Sequence, residues 1–290
     1  MTAFVFPGQG SQQKGMGHEL FDLPEYRAVE KDIDDLVGYS MRRLCVDDAD
    51  GLLKDTRYTQ PALYVVCSLH MLKAVKDGHV PRYAAGHSLG EYSALVAAGV
   101  IDFMTGLRIV HKRGELMGQA RDGGMGAVIG LAPERVRAVI DDHGFQSIDV
   151  ANYNSPSQTV ISGPTADIAR LGPLFESSGA SLFVPLPVSA AFHSRYMEPY
   201  ARQFEGYLAS FTFAPPRIPV VANVTAKPYP GDAASIRELL VKQITQPVRW
   251  TESVEYLLSQ GVTDFREVGP GNVLTRLVKQ IQDAARAIAG

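Results

Sequence analysis

Gly86-His87-Ser88-Leu89-Gly90 follows the pattern G-x-S-x-G, which sets a serine on a sharp strand-to-helix turn. Small residues two places before and after the serine let the chain turn tightly. They leave Oγ exposed at a helix N-terminus, where unpaired N–H groups can meet an oxyanion. By itself the pattern is weak, since a chain of this length shows it by chance roughly once in ten cases. A tight turn with a buried serine is the plain alternative. A serine nucleophile also needs a base, and the histidines are His18, His70, His79, His87, His111, His143 and His193. His87 adjoins Ser88, but adjacent side chains on a sharp turn diverge. His143 sits at a helix end and reads as a cap; His111 lies within a long helix. His193, in Ala190-Ala191-Phe192-His193-Ser194, lies in a loop, where catalytic residues concentrate. An ordinary loop histidine is the competing reading.

Arg113 is the third chemical residue. Along the helix that Asp102 opens, Arg108, Lys112, Glu115 and Gln119 recur at helical spacing and form the solvated face. Arg113 falls on the opposite face, with Ile109, Val110 and Met117. A cation on an apolar face needs an anionic partner. That partner is either a structural carboxylate or the carboxylate of a substrate held by a bidentate clamp.

The elements that must position these residues are mostly strand followed by helix. Residues 2–6 read as a buried strand ending in a Gly-rich turn. The region to about residue 58 reads as helix in pieces. Residues 60–76 read as a helix with Pro61 in its first turn. Residues 82–86 read as a strand, 89–99 as a helix, and 102–121 as a helix stopped by Gly123-Gly124. Residues 124–188 then read β-α-β-β-α-β, the ferredoxin-like split unit. Its last strand, 182–188, carries Pro185 and Pro187 and suits an edge. Beyond it come helices near 195–209, 235–244 and 251–260, strands at 218–222 and 263–268, and a final helix. The expected architecture is a large α/β domain with a mostly parallel sheet, residues 1–123 and 189–290, and an inserted small domain, 124–188. Function then belongs at the strand C-termini.

Composition narrows the rest. The 290 residues hold 28 basic and 31 acidic side chains, a formal charge of −3. No basic run exists to neutralise phosphates, so nucleic acid is not an expected partner. No apolar run is long enough to span a membrane, and Met1 to Gly8 does not read as a signal peptide. Cys45 and Cys67 form neither a disulfide framework nor a Cys-x-x-Cys zinc site. A reducing cytoplasm is the expected location, and no metal site is expected. Gly8-Gln9-Gly10 lacks the third glycine of a dinucleotide loop, and Gly10 to Met16 lacks a P-loop ending. Gly269-Pro270-Gly271 reads as a βα turn.

Taken together, Phe6-Pro7-Gly8-Gln9-Gly10-Ser11-Gln12, Thr59-Gln60-Pro61-Ala62, Gly86 to Tyr92, Arg113-Gly114, Ala191-Phe192-His193-Ser194, Asn223-Val224-Thr225, Gln246-Pro247-Val248-Arg249-Trp250 and Glu267 to Gly271 resemble the malonyl-CoA:acyl-carrier-protein transacylases. The resemblance runs in family order over essentially the whole chain. It implies an α/β-hydrolase-like large domain with a ferredoxin-like insert.

The resemblance also implies roles. Ser88 would be the nucleophile and His193 its base, oriented by the backbone carbonyl of Gln243. The backbone N–H groups of Gln9 and Leu89 would form the oxyanion hole. Arg113 would hold the free malonyl carboxylate, with Met117, Phe192 and His87 also contacting substrate. Leu89 and Phe192 match the malonyl-selecting pattern rather than that of branched extenders. The reaction would be ping-pong, from a CoA thioester to the phosphopantetheine thiol of an acyl carrier protein, with no resident cofactor. Gly38-Tyr39-Ser40, Leu44 to Asp48 and Thr59 to Tyr64 look more like discrete acyltransferases serving polyketide synthases in trans than like the housekeeping fatty-acid enzyme. An acyl-thioester hydrolase is a further alternative, against which the arginine at 113 speaks.

Overall fold

The computed structural model describes residues 1–289. In chain order it contains β1 (Thr2–Phe6), α1 (Pro24–Val37), α2 (Met41–Val46), α3 (Thr56–Lys76), β2 (Tyr83–Gly86), α4 (Gly90–Ala97) and α5 (Phe103–Met117). There follow β3 (Gly123–Ile129), α6 (Pro133–Asp142), β4 (Asp149–Ser155), β5 (Gln158–Pro164), α7 (Thr165–Ser177) and β6 (Leu182–Pro185). The chain closes with α8 (Glu198–Leu208), β7 (Val220–Val221), α9 (Ala233–Thr245), α10 (Trp250–Ser259), β8 (Asp264–Glu267) and α11 (Val273–Ala289).

The first sheet has the order β7-β2-β1-β8, with every pair parallel. A parallel sheet is covered on both faces, which is why β1 is an unbroken apolar run. Its side chains alternate: Phe4 and Phe6 join the core with α3 and α4, whereas Ala3 and Val5 face Trp250, Val254, Leu274 and Val278 of α10 and α11. The second sheet is antiparallel, order β4-β5-β3-β6, the ferredoxin-like arrangement. One face packs Val128 and Ile161 on Val136, Ile168 and Phe175 of α6 and α7. The other turns Met125, Ala127, Ala151 and Val160 toward the main core. The expected α/β fold with its inserted small unit is therefore present, and β6 does form an edge.

Backbone hydrogen bonds join the two sheets. Val248 N donates to Ala151 O at 2.9 Å, and Tyr153 N to Val248 O at 2.9 Å. One residue on, Arg249 N donates to Asn223 O at 3.0 Å, next to the end of β7.

Several element boundaries differ from the sequence reading. The helix expected from residue 60 begins at Thr56, because the Asp55 side chain accepts from Arg57 N at 3.0 Å and caps it. Pro61 therefore lies inside α3 and leaves the Arg57 carbonyl without its intrahelical donor. The helix expected to reach 121 ends at Met117. Gly118 caps it where α3 passes so closely that a Cβ would lie 2.5 Å from Arg57 Cγ. Gly123 and Gly124 are not helix stops but open β3. A Cβ on Gly123 would lie 2.2 Å from Ala191 N, so this glycine admits the segment that carries His193. Finally, β6 stops at Pro185 rather than Val188. Leu186 N still reaches Met125 O at 2.9 Å, but Pro187 has no N–H to continue the ladder.

Candidate active site

The turn between β2 and α4 is dictated by crowding. A Cβ on Gly86 would stand 1.9 Å from the carbonyl carbon of Gly90, and one on Gly90 2.0 Å from Phe6 O. Gly8 is equally constrained, its Cβ position lying 2.4 Å from His87 O. These glycines let the elbow nest against the end of β1. Ser88 takes φ 50°, a left-handed conformation that costs a non-glycine residue roughly 1–2 kcal/mol. Its backbone is anchored by Asn223, whose Oδ1 accepts from Ser88 N at 2.7 Å and whose Nδ2 donates to Gly86 O at 2.6 Å.

Ser88 Oγ lies 2.8 Å from His193 Nε2, and His193 Nδ1 lies 2.8 Å from Gln243 O. Because a backbone carbonyl can only accept, it places the proton on Nδ1 and leaves Nε2 as the acceptor for the serine hydroxyl. No carboxylate is needed for this orientation. His193 also adopts a left-handed backbone, φ 56°, on the loop after β6. Burial, reinforced by the nearby Arg113 charge, lowers its pKa to about 3, so the imidazole is neutral at pH 7 and its Nε2 lone pair is free to accept from the serine hydroxyl.

Arg113 is buried on α5, with 1% of its surface exposed. Nη1 donates to Gln60 Oε1 at 2.8 Å, and Nη2 donates to Gln243 Oε1 at 2.9 Å and Ser88 Oγ at 3.2 Å. The guanidinium carbon stands 5.6 Å from the Tyr92 ring centroid. Each of these partners is neutral. Nη1 and Nη2 are held in place while the charge stays unneutralised, and Nε has no partner among the described residues. Of the two readings left open by the sequence, the structural carboxylate is not the one found: no ion pair to Arg113 exists among the described residues. Burial draws its pKa below the ordinary value, which favours an anion arriving in the site.

A cavity of about 100 Å³ gathers Gln9, His87, Ser88, Leu89, Arg113, Met117, Phe192 and His193. The eight expected site residues that should touch substrate or oxyanion thus share one space. The ninth, Gln243, stands behind His193. Neither the Gln9 nor the Leu89 backbone N–H has an acceptor among the described residues. His87 lines the cavity but turns its imidazole away from the serine: Nε2 is 2.8 Å from Asn154 Oδ1, and the ring stands 5.7 Å from that of Trp250. His143 caps α6, its Nδ1 on Val139 O at 2.9 Å.

Several residues at the site were not singled out from the sequence. Gln60 and the Gln243 side chain hold Arg113; Asn223 anchors the elbow; Asn152 and Met125 line the cavity. Glu91 is buried on α4, where its carboxylate accepts from Asn223 N at 2.8 Å, from Tyr229 OH at 2.9 Å and from Gln243 Nε2. The signal available for Gln60 and Gln243 was a long amide on an otherwise apolar helix face. Among the described residues no group of three or more His, Cys, Asp or Glu is placed to hold a metal ion. No described helix is long and apolar enough to cross a membrane.

Residues 3–289 match the acyl transferase domain family. The chain is 50% identical over 289 residues to a polyketide biosynthesis malonyl CoA-acyl carrier protein transacylase of Bacillus velezensis, covering 99% of each. It is also 50% identical to a polyketide biosynthesis protein of Bacillus subtilis, where the match covers 99% of this chain but 37% of that longer protein. It is 42% identical to the malonyl CoA-acyl carrier protein transacylase of Salmonella typhimurium, covering 99% of this chain and 94% of that one. Among solved structures, the malonyl CoA-acyl carrier protein transacylase of Burkholderia pseudomallei superposes with a TM-score of 0.93 at 47% identity, covering 98% of both chains.

Proposed function

The chain belongs to the acyl transferase domain family, and from that premise we propose that it moves a malonyl group from malonyl-CoA to the phosphopantetheine thiol of an acyl carrier protein. The observation that carries this reading is Arg113, a buried cation with only neutral partners, 3.2 Å from the Ser88 hydroxyl. A substrate with a free carboxylate satisfies that charge and so brings its thioester carbon to Ser88. A monoacid does not.

The steps follow from the geometry. Ser88 Oγ attacks the thioester carbon while His193 Nε2 takes its proton. The Gln9 and Leu89 amides receive the oxyanion. The intermediate collapses, the C–S bond breaks, and His193 returns the proton to the CoA sulfur. In the second half His193 deprotonates the carrier thiol, which attacks the acyl-serine; Ser88 leaves and recovers its proton from His193. No step calls for a resident metal or cofactor. Malonyl rather than a branched extender fits Leu89 and Phe192, both of which line the cavity. Greater identity to the polyketide relative than to the Salmonella enzyme, 50% against 42%, supports supply of a polyketide synthase in trans. Two buried free thiols, Cys45 and Cys67, suit the cytoplasm.

The test is intact-protein mass after brief exposure to malonyl-CoA. One malonyl adduct is expected on the unaltered chain and none on Ser88→Ala, with the melting temperature preserved. An adduct on the variant refutes the nucleophile. CoA release without an adduct or carrier product indicates a hydrolase.

A further inference from the structure

Three groups of the site converge on one carboxylate that touches none of the reacting atoms. Glu91 Oε1 accepts from Asn223 N at 2.8 Å and Tyr229 OH at 2.9 Å; Oε2 accepts from Gln243 Nε2. The same Nε2 donates to Ser88 O at 2.8 Å, and Gln243 Oε1 takes Arg113 Nη2 at 2.9 Å. From these contacts we infer that Glu91 is a positioning residue for the carboxylate clamp: it locks the Gln243 amide in the one orientation that holds Arg113 by a neutral oxygen. The inference rests on the transferase reading above and deepens it.

Matching of donors to acceptors permits only this orientation. Turning the Gln243 amide over would set its NH2 against Arg113 Nη2, donor to donor. It would also set its oxygen against Ser88 O, Asn223 Oδ1 and the Glu91 carboxylate, acceptor to acceptor. All four contacts would reverse sign, and in a buried site an unmade bond is costly. Glu91 thus orients the clamp at one remove. A carboxylate touching Arg113 would quench the clamp. A carboxylate separated from it by one amide fixes the guanidinium yet leaves its charge for substrate. Glu91 itself is held by three donors against a burial that raises its pKa to about 7.

Glu91→Gln keeps the shape and breaks the logic. The oxygen of the introduced amide serves Asn223 N and Tyr229 OH, and its NH2 then faces Gln243 Nε2. The Gln243 amide is displaced, and Arg113 loses an acceptor. Acylation by malonyl-CoA and by acetyl-CoA is measured by intact mass on the unaltered chain and the variant, with melting temperatures alongside. The malonyl rate constant should fall about a hundredfold, as expected for misplaced positioning groups, and the malonyl-to-acetyl ratio at least tenfold. Equal loss for both substrates, the signature of a merely structural role, overturns the inference, as does no loss. Should Glu91→Gln not fold, Gln243→Met removes the same amide while keeping the carbonyl on His193. The ratio should fall likewise, and an unchanged ratio overturns the inference. Absence of any malonyl adduct on the unaltered chain overturns the transferase reading and this inference with it. An adduct there, with the ratio unmoved in the variants, overturns this inference alone.

Discussion

Replacing Arg113 with Ala removes the cation that reaches Ser88 Oγ, and its cost can be worked from the geometry. The guanidinium is buried, tied through Nη1 and Nη2 to amide oxygens at 2.8 and 2.9 Å, and carries no carboxylate partner among the described residues. Malonate bound here would form a desolvated pair, and removing one member of such a pair costs about 3–5 kcal/mol. That corresponds to a loss of roughly two hundred- to several thousand-fold in malonyl acylation. The structure adds a further penalty, because Gln60 Oε1 and Gln243 Oε1 would then point their lone pairs at the substrate carboxylate. Acetyl has no charge to pair, so its rate should stay within about tenfold of the original. The assay is single-turnover acylation followed by intact mass over a series of malonyl-CoA and acetyl-CoA concentrations, with a melting curve for each protein. A malonyl-to-acetyl ratio unchanged in a folded variant would refute the clamp, whatever happened to the absolute rates.

Three further outcomes are expected. Gly90→Ala would place a Cβ 2.0 Å from Phe6 O and should cost more than about 4 kcal/mol, so that the variant is insoluble or melts far lower; near-normal melting would show that the elbow can move away from β1. Phe192→Ala should raise methylmalonyl acylation relative to malonyl by about tenfold or more, since one methyl group in an apolar pocket carries roughly 1–3 kcal/mol; an unchanged ratio removes Phe192 from the selecting wall. His193 is buried neutral with its pKa lowered to about 3, whereas the unfolded imidazole titrates near 6.5. Between those values the unfolded chain binds the extra proton, so this contribution is complete above pH 6.5 and is lost as pH falls toward 3, on the order of 5 kcal/mol in all. Denaturant melts should therefore weaken more steeply with acid in the unaltered chain than in His193→Ala, and parallel curves would contradict a neutral buried imidazole.

What was legible in the sequence was whatever leaves a local trace. The G-x-S-x-G run announces its elbow because two glycines must sit where the chain meets itself. Arg113 announces itself by helical phase, falling opposite Arg108, Lys112, Glu115 and Gln119. The split unit between β3 and β6 is readable because its helices and strands alternate with clear periods. The Glu91–Asn223–Gln243 network leaves no such trace: its members are 132 and 152 residues from Glu91, and only the packed chain brings them together. The Gly123 misreading has the same origin. A glycine that ends a helix and one that admits a passing backbone are the same letter, and only the approach of Ala191 tells them apart. Pro61 misled for the opposite reason: it resembles a helix start, but Asp55 had already supplied the cap upstream.

The backbone bonds that splice Val248 to Ala151 and Tyr153, and Arg249 to Asn223, bear on how two such different acyl carriers could share the one serine proposed as nucleophile. They tie β4 of the small sheet to the chain just past β7, beside the elbow, and an opening at Ser88 braced in this way would keep a set gauge. An opening of set gauge does not adapt to the bulk of a nucleotide in one half-reaction and a folded protein in the next. It accepts what both carriers present alike, a slender pantetheine arm ending in sulfur. On that reading, discrimination between donor and acceptor is expected at the rim, while the interior would read only the arm and its acyl load.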